Sequence, residues 1–263
     1  MNELVLQLVS GSIIGLILAT TGVGGGIIVI PVLGFVFHMD ALAAVATANL
    51  LSLLMKLSSS VMHYRLGNIS LHNVLITTLI MLPVTMLSSY FISYAGTLPK
   101  WSATVEFGVN LTIVLAIVFS FIPMLRRRKT THDEELTGKA LDEQSYSAFI
   151  LPGIFTSLII GTTGVGGGIL VLPVFIHYLN MGVKEAIGTS ILVTALLSGA
   201  SALAYSQGGH TDISMAWWLF VGSLFSLPLA NRLLKTLSQQ VFRKLTYFFI
   251  IVSAIAMTAK LFL

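Results

Sequence analysis

Thr20-Thr21-Gly22-Val23-Gly24-Gly25-Gly26-Ile27-Ile28-Val29-Ile30-Pro31-Val32 returns 142 residues later as Thr162-Thr163-Gly164-Val165-Gly166-Gly167-Gly168-Ile169-Leu170-Val171-Leu172-Pro173-Val174. Eleven of the thirteen positions are identical, and the other two exchange Ile for Leu. Each copy interrupts a long apolar tract: 36 residues lie uncharged between Glu3 and Asp40, and 40 between Glu143 and Lys184. A helix-breaking phrase at corresponding places of two apolar halves is the pattern expected of a transporter's binding site.

Composition bounds the rest. Hydrophobic residues make up 56% of the 263 and charged residues 9%, where a soluble domain carries roughly 25% charge. A spanning helix needs only about 20 apolar residues, so several such tracts predict a polytopic all-α membrane protein. No Lys or Arg precedes the first apolar segment, so a cleaved signal peptide is not expected. Cysteine is absent, which removes disulfides and thiolate metal sites. The net charge of +4 sits in a few loops and reports orientation. Nucleic-acid binding is not expected, and neither is a cofactor or a metal.

The apolar tracts read as 4–19, 27–37, 41–62, 71–94 and 101–125, then, after a polar connector, 148–160, 169–179, 184–205, 214–234 and 241–261. This divides the chain into a first transmembrane repeat (1–125), a connector (126–147) and a second transmembrane repeat (148–263). The repeat continues past the glycines: Met39 aligns with Met181, Ala44 with Ala186 and Thr47 with Thr189. Beyond Thr189 a two-residue slip brings Ile69-Ser70 opposite Ile213-Ser214.

Basic residues set the orientation of the halves. If each interrupted tract crossed once, the repeats would be parallel, and a cytoplasmic connector would leave seven basic residues inside and six outside. If each tract instead returns to its own side or makes two short crossings, the repeats are inverted, with eleven inside against two, Lys100 and Lys260, outside. Only the second arrangement obeys the positive-inside rule. The stretches 4–19 and 27–37 are about 24 and 16 Å of helix, each short of a core of about 30 Å. The expectation is therefore two inverted repeats, each a Gly-broken or re-entrant helical hairpin followed by three transmembrane helices. Both termini lie outside, and the connector is cytoplasmic.

Non-helical backbone at membrane depth survives only where protein buries it or it lines a cavity. Gly22, Gly24, Gly25 and Gly26 let the chain turn and bring N–H groups close to a ligand. The helix beginning near Ile27 turns its free N–H groups and positive dipole end toward the break. Gly164, Gly166, Gly167 and Gly168 do the same for the helix from Ile169. Inversion makes the two breaks converge near the midplane on a desolvated site suited to an oxyanion. Thr20, Thr21, Thr162 and Thr163 add hydroxyls or cap the helices. Helix packing alone would be served by small residues spaced four apart, with no need for three consecutive glycines.

The doubled Gly-Val-Gly-Gly-Gly phrase followed by Pro31 or Pro173, in two halves of about 120 residues, resembles the TauE/SafE sulfite exporter family, also called the toluene-sulfonate uptake permeases. The resemblance covers nearly the whole chain. It implies a secondary transporter in the cell (inner or plasma) membrane, with a small sulfur oxyanion or organosulfonate, such as sulfite or sulfoacetate, as substrate. It does not select among them.

Other polar residues are weighed against bland roles. Lys56, inside an apolar helix, supplies a fixed cation for an anion or snorkels to the interface. Glu106 carries a coupling proton or is an interfacial carboxylate beside Lys100, the reading its depth favours. Thr47, Asn49, Thr189 and Ser190 line the site or bond between helices. Coupling to protons or sodium stays open, as does a homodimer. Transport of another anion, a cation or a neutral solute is the alternative. An enzyme is the remote one, because paired carboxylates, His clusters and a phosphate-loop Lys are all missing from the spans.

Overall fold

The computed structural model describes residues 3–21, 26–126, 146–164 and 170–236, with isolated helical positions between 241 and 259. The described residues form nine helices and no strand: α1 (Glu3–Thr21), α2 (Gly26–Val36), α3 (Ala41–Arg65), α4 (Leu71–Thr97), α5 (Ser102–Arg126), α6 (Tyr146–Thr163), α7 (Val171–Tyr178), α8 (Val183–Gln207) and α9 (Ile213–Thr236). Among them α3, α4, α6 and α8 are long and apolar enough to cross a membrane. Long apolar sequence gives helices here because a bilayer leaves backbone polar groups no partner but one another. The connector, apart from its two edges, lies outside the described residues.

The 142-residue offset is written into the backbone. Helices α3 and α8 begin and end at equivalent positions, and α2 and α7 end at equivalent positions. His38 and Asn180, 142 apart, both take left-handed backbone (φ 53° and 49°), as do Gly67 (69°) and Gly209 (74°). The same offset places Ser70, before α4, opposite Asp212, before α9, so the two-residue slip expected from sequence is not needed there. The unshifted register holds through the turn and the helix starts, whereas the prolines inside α4 and α9, Pro83 and Pro228, stand 145 apart.

Packing exchanges helices between the halves. Helix α9 lies along α1, and α4 lies along α6. The α1–α9 seam is built on small residues: a Cβ on Gly11 would strike the Leu219 carbonyl, and one on Gly222 the Leu8 carbonyl. Ser12 Oγ donates to the Leu8 and Gly222 carbonyls at 2.9 and 2.8 Å. In the α4–α6 seam Ser89 Oγ donates to the Gly161 carbonyl at 2.8 Å, and Gly161 has room for no side chain against Ser88 and the Thr85 carbonyl. Close backbone approach with hydroxyl bonds is how helices associate where lipid removes the hydrophobic drive between them.

Two apolar cores follow. One gathers Ile27–Ile30 and Leu33 of α2 with α1, α3, α5 and α9. The other gathers Val171 and Phe175 of α7 with α4, α6 and α8. Helix α3 meets α8 directly, and the two run antiparallel. Thr47, near the start of α3, accepts the Asp212 N–H just beyond α8 at 3.1 Å. Thr189, near the start of α8, accepts the Ser70 N–H just beyond α3, also at 3.1 Å. The equivalent threonines thus make the same bond, each to the other half.

Candidate functional site

In the second copy of the glycine phrase Gly164 leaves the helix, while the positions between Thr21 and Gly26 in the first copy lie outside the described residues. Helix α1 ends at Thr21 and α2 opens at Gly26; α6 ends at Thr163 and α7 opens at Val171. Gly26 is buried, as is the apolar run behind it from Ile27 to Pro31. Gly22, Gly24, Gly25, Gly166, Gly167 and Gly168 lie outside the described residues, as do the side chains of Thr20 and Thr21.

The end of α6 can be built atom by atom. Gly164 is buried and left-handed (φ 64°), and its N–H returns to the Ile160 carbonyl at 2.7 Å. This is a left-handed C-cap, the conformation that favours glycine. A Cβ here would stand 2.7 Å from Asn49 Nδ2, so Gly164 packs directly on an amide from the other half. Asn49 is fully buried (0% exposed). Its Nδ2 donates to the Val45 carbonyl at 3.0 Å, while its Oδ1 has no hydrogen-bond partner among the described residues. A buried amide oxygen left open is costly unless something else satisfies it.

Thr162 and Thr163 donate backwards, to the Leu158 and Ile159 carbonyls at 2.8 and 2.5 Å. Both hydroxyl hydrogens are thus engaged within α6 itself. The carbonyls of Gly161 and Thr162 are taken by the Tyr205 hydroxyl at 3.1 and 3.2 Å. Tyr205 is wholly buried and fastens the last turn of α6 to α8. Nothing in the apolar reading of α8 singled it out. The spacing Thr194, Ser198, Ser201, Tyr205 could have done so, since it draws one polar stripe on a helix. Ser201 continues the stripe through Ser89, with 2.6 Å between the hydroxyl oxygens.

Of the other expected residues, Thr47 and Thr189 make the reciprocal bonds described above, and Ser190 Oγ donates to the Ile187 carbonyl at 2.9 Å. Lys56 reaches across to α8, with Nζ 3.1 Å from Ser198 Oγ and 3.5 Å from the Thr194 carbonyl. Glu106 accepts the Ala41 N–H at 3.3 Å, and Asp40 accepts the Ala43 N–H at 2.6 Å. Two carboxylates thus sit at the first turn of α3, where free N–H groups and the helix dipole favour negative charge.

Comparison with known proteins decides the family. Residues 7–257 match the family model described as sulfite exporter TauE/SafE. The chain belongs to the TauE/SafE family. Curated relatives of this TauE/SafE protein include a probable membrane transporter protein of Methanocaldococcus jannaschii, 25% identical over 90% of this chain and 89% of its own. The probable membrane transporter protein YdhB of Bacillus subtilis is 25% identical over 81% and 82%. No solved structure gives a significant match. Family and relatives make this TauE/SafE protein a membrane transporter, and its long apolar helices embed it in the bilayer.

Proposed function

We propose that the protein is a secondary transporter, acting as an exporter of small sulfur-containing anions such as sulfite or an organosulfonate. Alternating access of two inverted repeats carries the anion past a midplane site made by the two glycine breaks. The observation that carries this reading is the end of α6, where buried, left-handed Gly164 packs on Asn49 of the other half. Interrupted helices at matching places of two repeats are where transporters of this architecture bind their cargo. Antiparallel α3 and α8, with their exchanged threonine bonds, support inversion, because inversion turns equivalent helices end for end.

Gly22, Gly24, Gly25 and Gly26, with Gly164, Gly166, Gly167 and Gly168, supply backbone N–H donors to the anion. Thr20, Thr21, Thr162 and Thr163 border it. Asn49 offers Nδ2 to it by rotating its amide, and Thr47, Thr189 and Ser190 shape the surrounding helices. Gly24→Val and Gly167→Val, each inserted in the membrane at normal level, lose sulfite and sulfonate flux in proteoliposomes. Normal flux in both variants would refute the site.

Coupling is to a proton or to sodium. Glu106 is the carboxylate available for the first, and Asn49 Oδ1 is a neutral oxygen ligand for the second. Flux that needs a sodium gradient and is lost in Asn49→Leu identifies sodium. Flux that needs a pH gradient and is lost in Glu106→Gln identifies the proton.

A further inference from the structure

Lys56 and Ser198 are equivalent residues of the two halves, 142 apart, and they touch. Contact between a residue and its own equivalent occurs only where the halves' relating axis passes, so Nζ marks the crossing of α3 and α8. Lys56 stands about 14 Å of helix from Arg65 at 1.5 Å per residue, well inside the span. An ammonium carries three donors, and its partners among the described residues are one hydroxyl and one carbonyl. Neither neutralises it. A cation inside an apolar bundle without a counter-charge is expensive and usually functional.

One turn before Lys56, on the same face, Ser52 is buried (3% exposed), and its Oγ has no hydrogen-bond partner among the described residues. The Ser198 hydroxyl oxygen accepts from Lys56, which leaves its own hydrogen to donate. The crossing therefore holds a charge without its opposite and two hydroxyls able to donate, on helices that meet from opposite halves. A carboxylate would serve as a structural partner; the described residues offer none here.

We propose that the α3–α8 crossing is a counter-charge subsite for the transported anion, formed by Lys56 Nζ, Ser52 Oγ and Ser198 Oγ, and that it selects a monovalent oxyanion over a divalent one. The inference rests on the transport reading above and deepens it. One fixed cation balances one negative charge; because the equivalent of Lys56 is a serine, a second charge on the cargo has no match. An unmatched charge in a low-dielectric interior is strongly disfavoured. A sulfonate or hydrogen sulfite fits, whereas sulfate and fully ionised sulfite do not.

The test uses the full chain in liposomes, with methanesulfonate, sulfate and sulfite as probes. Wild type should carry methanesulfonate at least about tenfold better than sulfate. Sulfite flux should fall as alkaline pH converts hydrogen sulfite to the dianion, while methanesulfonate flux stays level. Lys56→Gln should lower methanesulfonate flux by about tenfold or more, the scale of a lost charged hydrogen bond, and Lys56→Arg should keep most of it. Ser52→Ala, which leaves charge and helix intact, should raise KM for methanesulfonate about tenfold with little change in the maximal rate. Wild-type flux in Lys56→Gln, or an unchanged KM in Ser52→Ala, overturns the subsite while leaving the transport reading standing. Equal wild-type transport of sulfate and methanesulfonate overturns the selectivity. A wild type that carries no sulfur oxyanion fails the transport reading itself, and the subsite falls with it.

Discussion

Gly164 is the residue on which the described part of the proposed site turns, because two independent constraints meet at one Cα. Left-handed backbone costs an ordinary L-residue about 1–2 kcal/mol, and a Cβ would press on the Asn49 amide at 2.7 Å. Gly164→Ala should therefore lower the thermal midpoint in detergent by several degrees, and substituting Asn49 by Ala as well should recover part of the loss. An unchanged midpoint in the single variant would contradict this geometry. Tyr205 makes a complementary case, since its hydroxyl donates to the Gly161 and Thr162 carbonyls. Tyr205→Phe should cost about 1–3 kcal/mol, read as a lower midpoint and faster amide exchange at the end of α6. These residues differ in how readable they were. The glycine phrase announced itself by repetition, whereas Tyr205 was marked only by its place on the Thr194–Ser198–Ser201 stripe, which does not say which helix its hydroxyl reaches.

At the scale of elements, the seams between α1 and α9 and between α4 and α6 carry the assembly. Gly11→Val and Gly222→Val would each drive a side chain into the opposite backbone. Both should give protein that aggregates on extraction or melts well below wild type, whereas Gly108→Val, where a Cβ meets nothing within 4 Å, should behave as wild type. The positions of the helices were largely legible in the sequence: apolar length predicted the spans, and α3 and α4 begin at 41 and 71 as the tracts do. Their pairing was not legible. That α9 joins α1 and α4 joins α6 depends on matched small residues over 200 and about 70 positions apart, and a single sequence does not say which small residues face each other. Ile-Ser identity suggests a slip before α4 and α9, whereas the left-handed turns at Gly67 and Gly209, shared by both halves, keep the 142-residue offset there.

At the scale of the whole molecule, inversion of the halves is an orientation claim and can be read chemically. The chain has no cysteine, so single cysteines report without background. Lys100→Cys should react with a membrane-impermeant maleimide added outside intact cells, while Lys184→Cys and Lys139→Cys should react only after permeabilisation. Parallel repeats would expose Lys184→Cys from outside along with Lys100→Cys. The central claim, that two glycine breaks form one oxyanion site, is tested most directly by counterflow in proteoliposomes. Sulfite, methanesulfonate, sulfoacetate and taurine would be offered to wild type and to Gly24→Val and Gly167→Val. Wild type should show saturable exchange of at least one sulfur anion, lost in both variants although one substitution lies in each half. Exchange that survives either substitution, or no exchange of any sulfur anion by wild type, would contradict the claim.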